Sequence, residues 1–142
     1  MKEAFGSTFM IYILLIFLAV YITFVAVALN YAKAFRVKNS IIDIIEQNEG
    51  VDLDDNGGTI RKIDTRLKEY SYNVRGIEED KYITAGTGKC YDLGYCITKV
   101  SDDIKGKYYK VITFVHLEIP FMDLGFTIPI RGETRVIERI NA

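Results

Sequence analysis

The spacing of hydrophobic and polar positions along this chain changes in order: a continuous apolar run, two helical stripes, then period-two alternation. Residues 9–29, FMIYILLIFLAVYITFVAVAL, hold no charge, no Pro and no Gly, and their polar side chains are Thr23 and the hydroxyls of Tyr12 and Tyr21. At ~1.5 Å of rise per residue this run makes a helix ~31 Å long, the thickness of a bilayer's hydrocarbon core. A lone segment in lipid must satisfy its backbone internally, so the run is helical. The competing reading, a fully buried core helix, needs more surrounding chain than 142 residues supply.

Beyond Leu29 the pattern stays helical. In Asn30 to Asn48, Tyr31, Phe35, Ile41, Ile42 and Ile45 recur at helical spacing, while Lys33, Arg36, Asp43 and Glu46 fall elsewhere. Gly50, preceded by Asn48 and Glu49, is the first stop signal. One helix from about Thr8 to Asn48 is expected, with two helices broken near Asn39-Ser40 as the alternative. Residues 50–58 read as a turn-rich acidic loop. Thr59 is placed to N-cap a second, short helix over 60–70, whose Ile60, Ile63, Leu67 and Tyr70 mark one face.

After Tyr70 the period becomes two. Tyr72 and Val74 alternate with Asn73 and Arg75, predicting a first strand that ends at Gly76. Residues 78–94 are loop-like, 95–100 a short strand and 101–106 a polar turn. Residues 107–119 are rich in aromatic and β-branched side chains and form the clearest strand, with Val111, Val115, Leu117 and Ile119 on one face, Lys110, His116 and Glu118 on the other, and Pro120 at its end. In a last strand over 126–137, Phe126, Ile128, Ile130 and Val136 alternate with Thr127, Arg131, Glu133 and Arg135, which implies one buried and one wet face. Pro129 makes this strand partly an edge, and Gly132 suggests a bulge. The fold class is therefore α+β: a long N-terminal transmembrane helix and a short second helix over one face of a small, mainly antiparallel sheet of three to four strands. The stripes of Ile41, Ile42 and Ile45 and of Ile60, Ile63 and Leu67 are expected to bury against Val111, Val115, Ile128 and Ile130. Residues 1–8 form a short leader, 9–29 the span continuing as an amphipathic helix to about 48, and 50–142 a small extracytoplasmic domain.

Composition adds limits. A net charge of −1 offers no nucleic-acid footprint. The start carries two targeting signals. Ala32-Lys33-Ala34 satisfies a small-residue cleavage pattern formally, but the apolar run is too long for a signal peptide and Lys33 sits inside the site. A charged leader ending in Gly6, directly before the hydrophobic helix, matches a prepilin-type start cut after Gly6; Ser7 or Thr8 equally reads as a plain helix N-cap. Orientation signals conflict. Lys33, Arg36 and Lys38 follow the span, which by the positive-inside rule places the domain in the cytoplasm. The two cysteines favour the outside, where the domain is expected.

Cys90 and Cys96 flank five residues, so a loop-clipping disulfide and two free thiols are the readings, with zinc disfavoured because His116 is the sole His. Asp52, Asp54, Asn56 and Gly57 match the first half of a calcium loop, but its twelfth position is Ile63; Asp64 reaches that role only if Gly57-Gly58 adds a residue. A solvated acidic turn is the plainer reading. Gly86-Thr87-Gly88-Lys89-Cys90 fails as a phosphate loop, since Ile83 stands where its earlier Gly belongs and Cys90 replaces the Ser or Thr. No nucleophile–base pair follows from spacing. No catalytic, cofactor-binding or metal residue, no cofactor and no small-molecule substrate is expected, and the chain is not read as an enzyme.

The layout resembles the TadE-like minor pilins and pseudopilins of tight-adherence systems. The likeness rests on the Gly6-started hydrophobic helix running into a basic, then amphipathic segment. It rests also on the end, from Tyr109-Lys110-Val111-Ile112-Thr113 through Ile119-Pro120-Phe121-Met122-Asp123-Leu124-Gly125 to Arg135-Val136. A related group of uncharacterised small single-pass membrane proteins of Gram-positive bacteria and their mobile elements is equally similar. The resemblance implies a non-enzymatic single-pass membrane component of a pilus or secretion-type assembly, with the lipid bilayer and other pilin-like or membrane assembly subunits as partners. The alternative is a membrane-anchored extracellular binding module outside any filament. Pilin-type helices commonly carry a Glu five residues after the cleaved Gly; that position here is Ile11.

Overall fold

The computed structural model describes residues 2–53, 58–83, 87–118 and 125–137. Helix α1 spans Lys2–Gln47, α2 spans Thr59–Glu69 and the single turn α3 spans Glu79–Tyr82. Strands β1 (Thr87–Tyr91), β2 (Tyr95–Asp102), β3 (Gly106–Glu118) and β4 (Gly125–Glu133) form one antiparallel sheet in the order β1-β2-β3-β4. The α+β class and the long apolar first helix are as the sequence reads.

Helix α1 passes through Asn39-Ser40 without a break. Neither residue forbids helix, and Val37 and Ile41 on either side are fully buried in one core. The helix also starts earlier than expected. Thr8 is inside it, its hydroxyl donating back to the Ala4 carbonyl at 2.9 Å, so Thr8 is not an N-cap. At the other end the Gly50 amide donates to the Ile45 carbonyl at 3.0 Å. Gly50 has φ +133°, and a Cβ there would lie 3.1 Å from the Tyr109 hydroxyl oxygen, so this stop needs glycine both for its backbone and for space.

The stripe that buries is not quite the predicted one. Ala34, Val37, Lys38, Ile41 and Ile45 are buried, whereas Tyr31 and Phe35 are exposed. Small Ala34 lets β3 come close, and its carbonyl accepts a hydrogen bond from the Thr113 hydroxyl at 3.1 Å. Helix α2 buries Ile60, Ile63 and Leu67 as expected and returns alongside α1. The Lys62 ammonium donates to Asn48 Oδ1 at 2.7 Å near its start, and Ser40 and Tyr70 hydroxyls meet at 3.4 Å past its end. Thr59 does not cap it. Gly58 holds that position, and the Thr59 hydroxyl donates to the Gly50 carbonyl at 3.3 Å.

Strand register sets which side chains share a face. Tyr95, Ile97, Val111, Thr113, Val115 and Ile130 are linked by cross-strand pairing and face α1 and α2. Ile112 and Phe114 point the other way and are also buried, Phe114 against the Tyr82 ring at 4.8 Å between centroids. The middle of β3 therefore has no wet face, because the segment carrying α3 covers it.

Two further expectations change. Tyr72 and Val74 are buried and Asn73 and Arg75 exposed, yet residues 72–75 form no strand. The alternation reflects a segment laid across the end of the sheet, where the Val74 amide donates to the Leu93 carbonyl at 3.0 Å. Part of the expected loop over 78–94 is instead strand β1, held by pairing with β2. Gly132 marks no bulge, since pairing runs unbroken through it. A Cβ at Gly132 would come within 2.8 Å of the Lys38 side chain, so this glycine admits α1 onto the edge strand. Pro129 sits opposite Phe114, whose amide points away from β4 toward Tyr72, so proline's missing donor costs this edge strand no inter-strand bond. The expected end of β3 at Ile119-Pro120 lies outside the described residues. Ladder geometry ends at Glu133, although Thr134 and Ile137 still donate to the Tyr109 and Lys107 carbonyls, both at 2.9 Å.

Candidate functional site

Among the described residues, the longest run of exposed hydrophobic side chains is the N-terminal half of α1. Every large hydrophobic side chain from Phe5 to Leu29 is exposed, and none of the most apolar stretch is buried by the rest of the chain. Exposing this much apolar side chain to water is strongly unfavourable, at about 25 cal/mol per Å², so the surface requires an apolar surrounding. Its length and composition suit a membrane crossing. The Thr23 hydroxyl donates to the Ala19 carbonyl at 2.9 Å, which removes the one non-aromatic polar group of the run from competition with lipid.

Gly6 lies within α1, with no other part of the protein within 4 Å of where a Cβ would sit. Lys33 and Lys38, two of the basic residues that follow the apolar run, contact the domain, Lys38 at Gly132 of β4. The Lys33 ammonium donates to the Ser71 carbonyl at 2.9 Å. Lys38 is buried, with its ammonium 4.1 Å from the centre of the Phe35 ring.

Cys90 and Cys96 face each other across β1 and β2, with sulfurs at disulfide distance, 1.98 Å. The pair clips a hairpin whose turn carries Gly94 at φ +95°. A Cβ at Gly94 would collide with the Val74 carbonyl, so the chain crossing the end of the sheet depends on this glycine.

Of the calcium pattern, Asp54, Asn56 and Gly57 lie outside the described residues, and Asp52 is exposed. Asp64 is occupied otherwise, accepting the Tyr95 hydroxyl at 2.7 Å. Among the described residues no group of three His, Cys, Asp or Glu side chains is placed to hold a metal ion. His116 is exposed, its Nδ1 3.3 Å from the Thr127 hydroxyl across the β3–β4 pair.

Two tyrosines are strongly perturbed. Burial pushes the Tyr72 hydroxyl up to about 12, against a smaller lowering by its bond to the Phe114 backbone. Burial also raises Tyr95, reinforced by its hydrogen bond to Asp64 and that carboxylate's charge. Both are structural: each hydroxyl is held within the fold rather than presented to a ligand.

The alternation along the last strand puts Phe126 and Ile128 with Ile130 on a buried face, but they are 50% and 44% exposed while Ile130 is 7% exposed. Alternation assigns side chains to a face without saying how far along it the helix covers. Of the three, only Ile130 is buried in the cluster with Ala34 and Val115. Set against family models, curated proteins and solved structures, the chain matches none of them.

Proposed function

We propose that this protein is a non-enzymatic, single-pass membrane component of a pilus or secretion-type assembly, with its sheet domain outside the cytoplasm. The observation that carries the reading is the division of α1. Its first half is bare and apolar, and its second half is the spine on which the domain is mounted. A continuous helix of this kind places a folded domain rigidly above the membrane and leaves the span free to pack against other helices. The Cys90–Cys96 pair supports an oxidising, extracytoplasmic setting. Lys33 donates to Ser71 and the Lys38 side chain packs at Gly132 of β4, and these structural roles weaken their weight as signals for a cytoplasmic side.

The test is the native N-terminus together with assembly. Mass spectrometry that finds Ser7 as the first residue supports prepilin-type processing after Gly6. Deletion of the domain is expected to leave membrane insertion intact and abolish incorporation into an assembly; normal assembly without it refutes the proposal. A second reading, an anchored extracellular binding module outside any filament, is favoured by Ile11 at the position where pilin-type helices carry Glu. An unprocessed Met1 and no co-isolating helical partner would select it.

A further inference from the structure

The β3–β4 ribbon runs along α1 and continues past the buried cluster of Ala34, Val115 and Ile130 toward the apolar run. Ala34 packs with Ile130, and the Glu46 carboxylate holds Arg135 through its backbone amide at 2.9 Å and its Nε at 3.3 Å. Between those two contacts α1 rises ~18 Å and β4 advances ~17 Å, so β4 runs nearly along the helix. Followed backward from Ile130, Phe126 lies ~13 Å lower, about nine helical residues below Ala34 and level with Val25. The other strand gives a similar level: His116 lines one small cavity with Asn30, and Leu117, the next residue, pairs with Phe126. Val25 and Val27 are also the least exposed large hydrophobic residues between Phe5 and Leu29.

The α1-facing side of the ribbon's end is apolar. Val115 pairs with Ile128, and Leu117 pairs with Phe126. Val115 is covered by the helix, while Phe126 and Ile128 stay half exposed on the edge strand. These side chains stand level with the last residues of the apolar run, where a bilayer's acyl chains give way to headgroups. Exposed Tyr31 on α1 stands just above. Aromatic and aliphatic side chains at this depth gain free energy by entering the interfacial layer.

We propose that the end of the β3–β4 ribbon, through Phe126 and Ile128, inserts into the interfacial layer of the bilayer beside α1, giving the domain a second lipid contact. The inference rests on the reading of α1 as a membrane span. A domain held by both helix and ribbon has a fixed tilt and rotation at the membrane, which a single helical stalk does not provide.

The chain contains no tryptophan, so single tryptophans report depth directly. Phe126→Trp, Phe17→Trp and Ile104→Trp are reconstituted as full chains in phosphatidylcholine vesicles with or without bromine on the acyl chains. Ile104 lies in the β2–β3 turn and is 92% exposed. F17W and F126W are both expected to lose fluorescence in brominated vesicles and to resist aqueous iodide, with F126W emission shifted to shorter wavelength than I104W. I104W is expected to show the reverse. If F17W is quenched by bromine but F126W behaves like I104W, the ribbon contact is refuted while the span stands. If F17W is not quenched, the span reading fails and the ribbon contact with it. F126W shielded from both quenchers means that protein covers the ribbon, which also overturns the proposal. Ile128→Trp repeats the measurement if F126W does not fold.

Discussion

The Tyr72 hydroxyl accepts a hydrogen bond from the Phe114 backbone amide at 2.9 Å. It donates in turn to the Gly94 carbonyl at 2.6 Å. Strand β2 begins at Tyr95, whose partner on β3 is Thr113, so Phe114 is the first β3 residue with no β2 partner. A side chain from outside the sheet thus completes the ladder at the end where β2 begins. Because Phe114 is buried, no water needs to enter there.

Removing that hydroxyl leaves the Phe114 amide buried without its partner. Tyr72→Phe is expected to destabilise the domain by about 1–3 kcal/mol, the desolvation cost of one unsatisfied buried donor. Tyr70→Phe, which loses only an exposed 3.4 Å contact to Ser40, is expected to stay within about 0.5 kcal/mol of the parent protein. Chemical denaturation in mild detergent, followed through the tyrosine signal, measures both. Equal stabilities for the two variants would refute the role assigned to Tyr72.

The same burial makes stability depend on alkaline pH. The Tyr72 hydroxyl is raised from 10.0 to about 12, and Tyr95 is raised as well. A folded-state value above the unfolded one means that the folded state holds its proton more tightly. That contribution is complete below pH 10 and is lost as pH climbs through the folded value, so denaturation midpoints are expected to fall between pH 10 and 12. Spectrophotometric titration should show Tyr72 and Tyr95 ionising only as the fold is lost. A midpoint that is flat over this window would contradict the buried, protonated state.

The parts legible in the sequence are those whose burial follows one repeating pattern. Residues 9–29 are apolar throughout, Ile60, Ile63 and Leu67 recur at helical spacing, and residues 107–118 concentrate aromatic and β-branched side chains. Strand β1 was not legible, because Thr87-Gly88-Lys89-Cys90-Tyr91 has weak strand propensity and owes its state to pairing with β2. Tyr72 and Val74 misled for the opposite reason: their alternation is real, but it comes from crossing the sheet's end. At the candidate site, the bare half of α1 could be read from composition. The exposure of Phe126 and Ile128 could not, because it depends on how β4 is registered against α1, a relation between residues about ninety positions apart.

The disulfide prediction follows from its short span. Cys90 and Cys96 are separated by six positions, so closing this loop removes little chain entropy. Cys90→Ala with Cys96→Ala is expected to cost at least about 2 kcal/mol, because Cys96 is itself fully buried in the core, while the larger core side chains of α1, α2 and β3 keep the domain folded. Circular dichroism with and without reductant, followed by denaturation of the double variant, tests this. Collapse of the domain on reduction would show that the hairpin nucleates the sheet instead.

Ile16 and Ile41 are the same residue type on one helix, and the division of α1 predicts opposite outcomes for them. Ile41 is fully buried among α2 and the sheet, whereas Ile16 is exposed along the apolar run. Ile41→Ala is expected to lower domain stability by about 2–5 kcal/mol, combining lost transfer free energy with the cavity left behind. Ile16→Ala exchanges one exposed side chain for another and removes no contact from the core, so its denaturation curve should overlay the parent's. Both are read from denaturant titrations of the reconstituted full chain. A comparable loss for I16A would mean that the first half of α1 packs against protein, and the separation into a lipid-facing half and a domain-bearing half would fail.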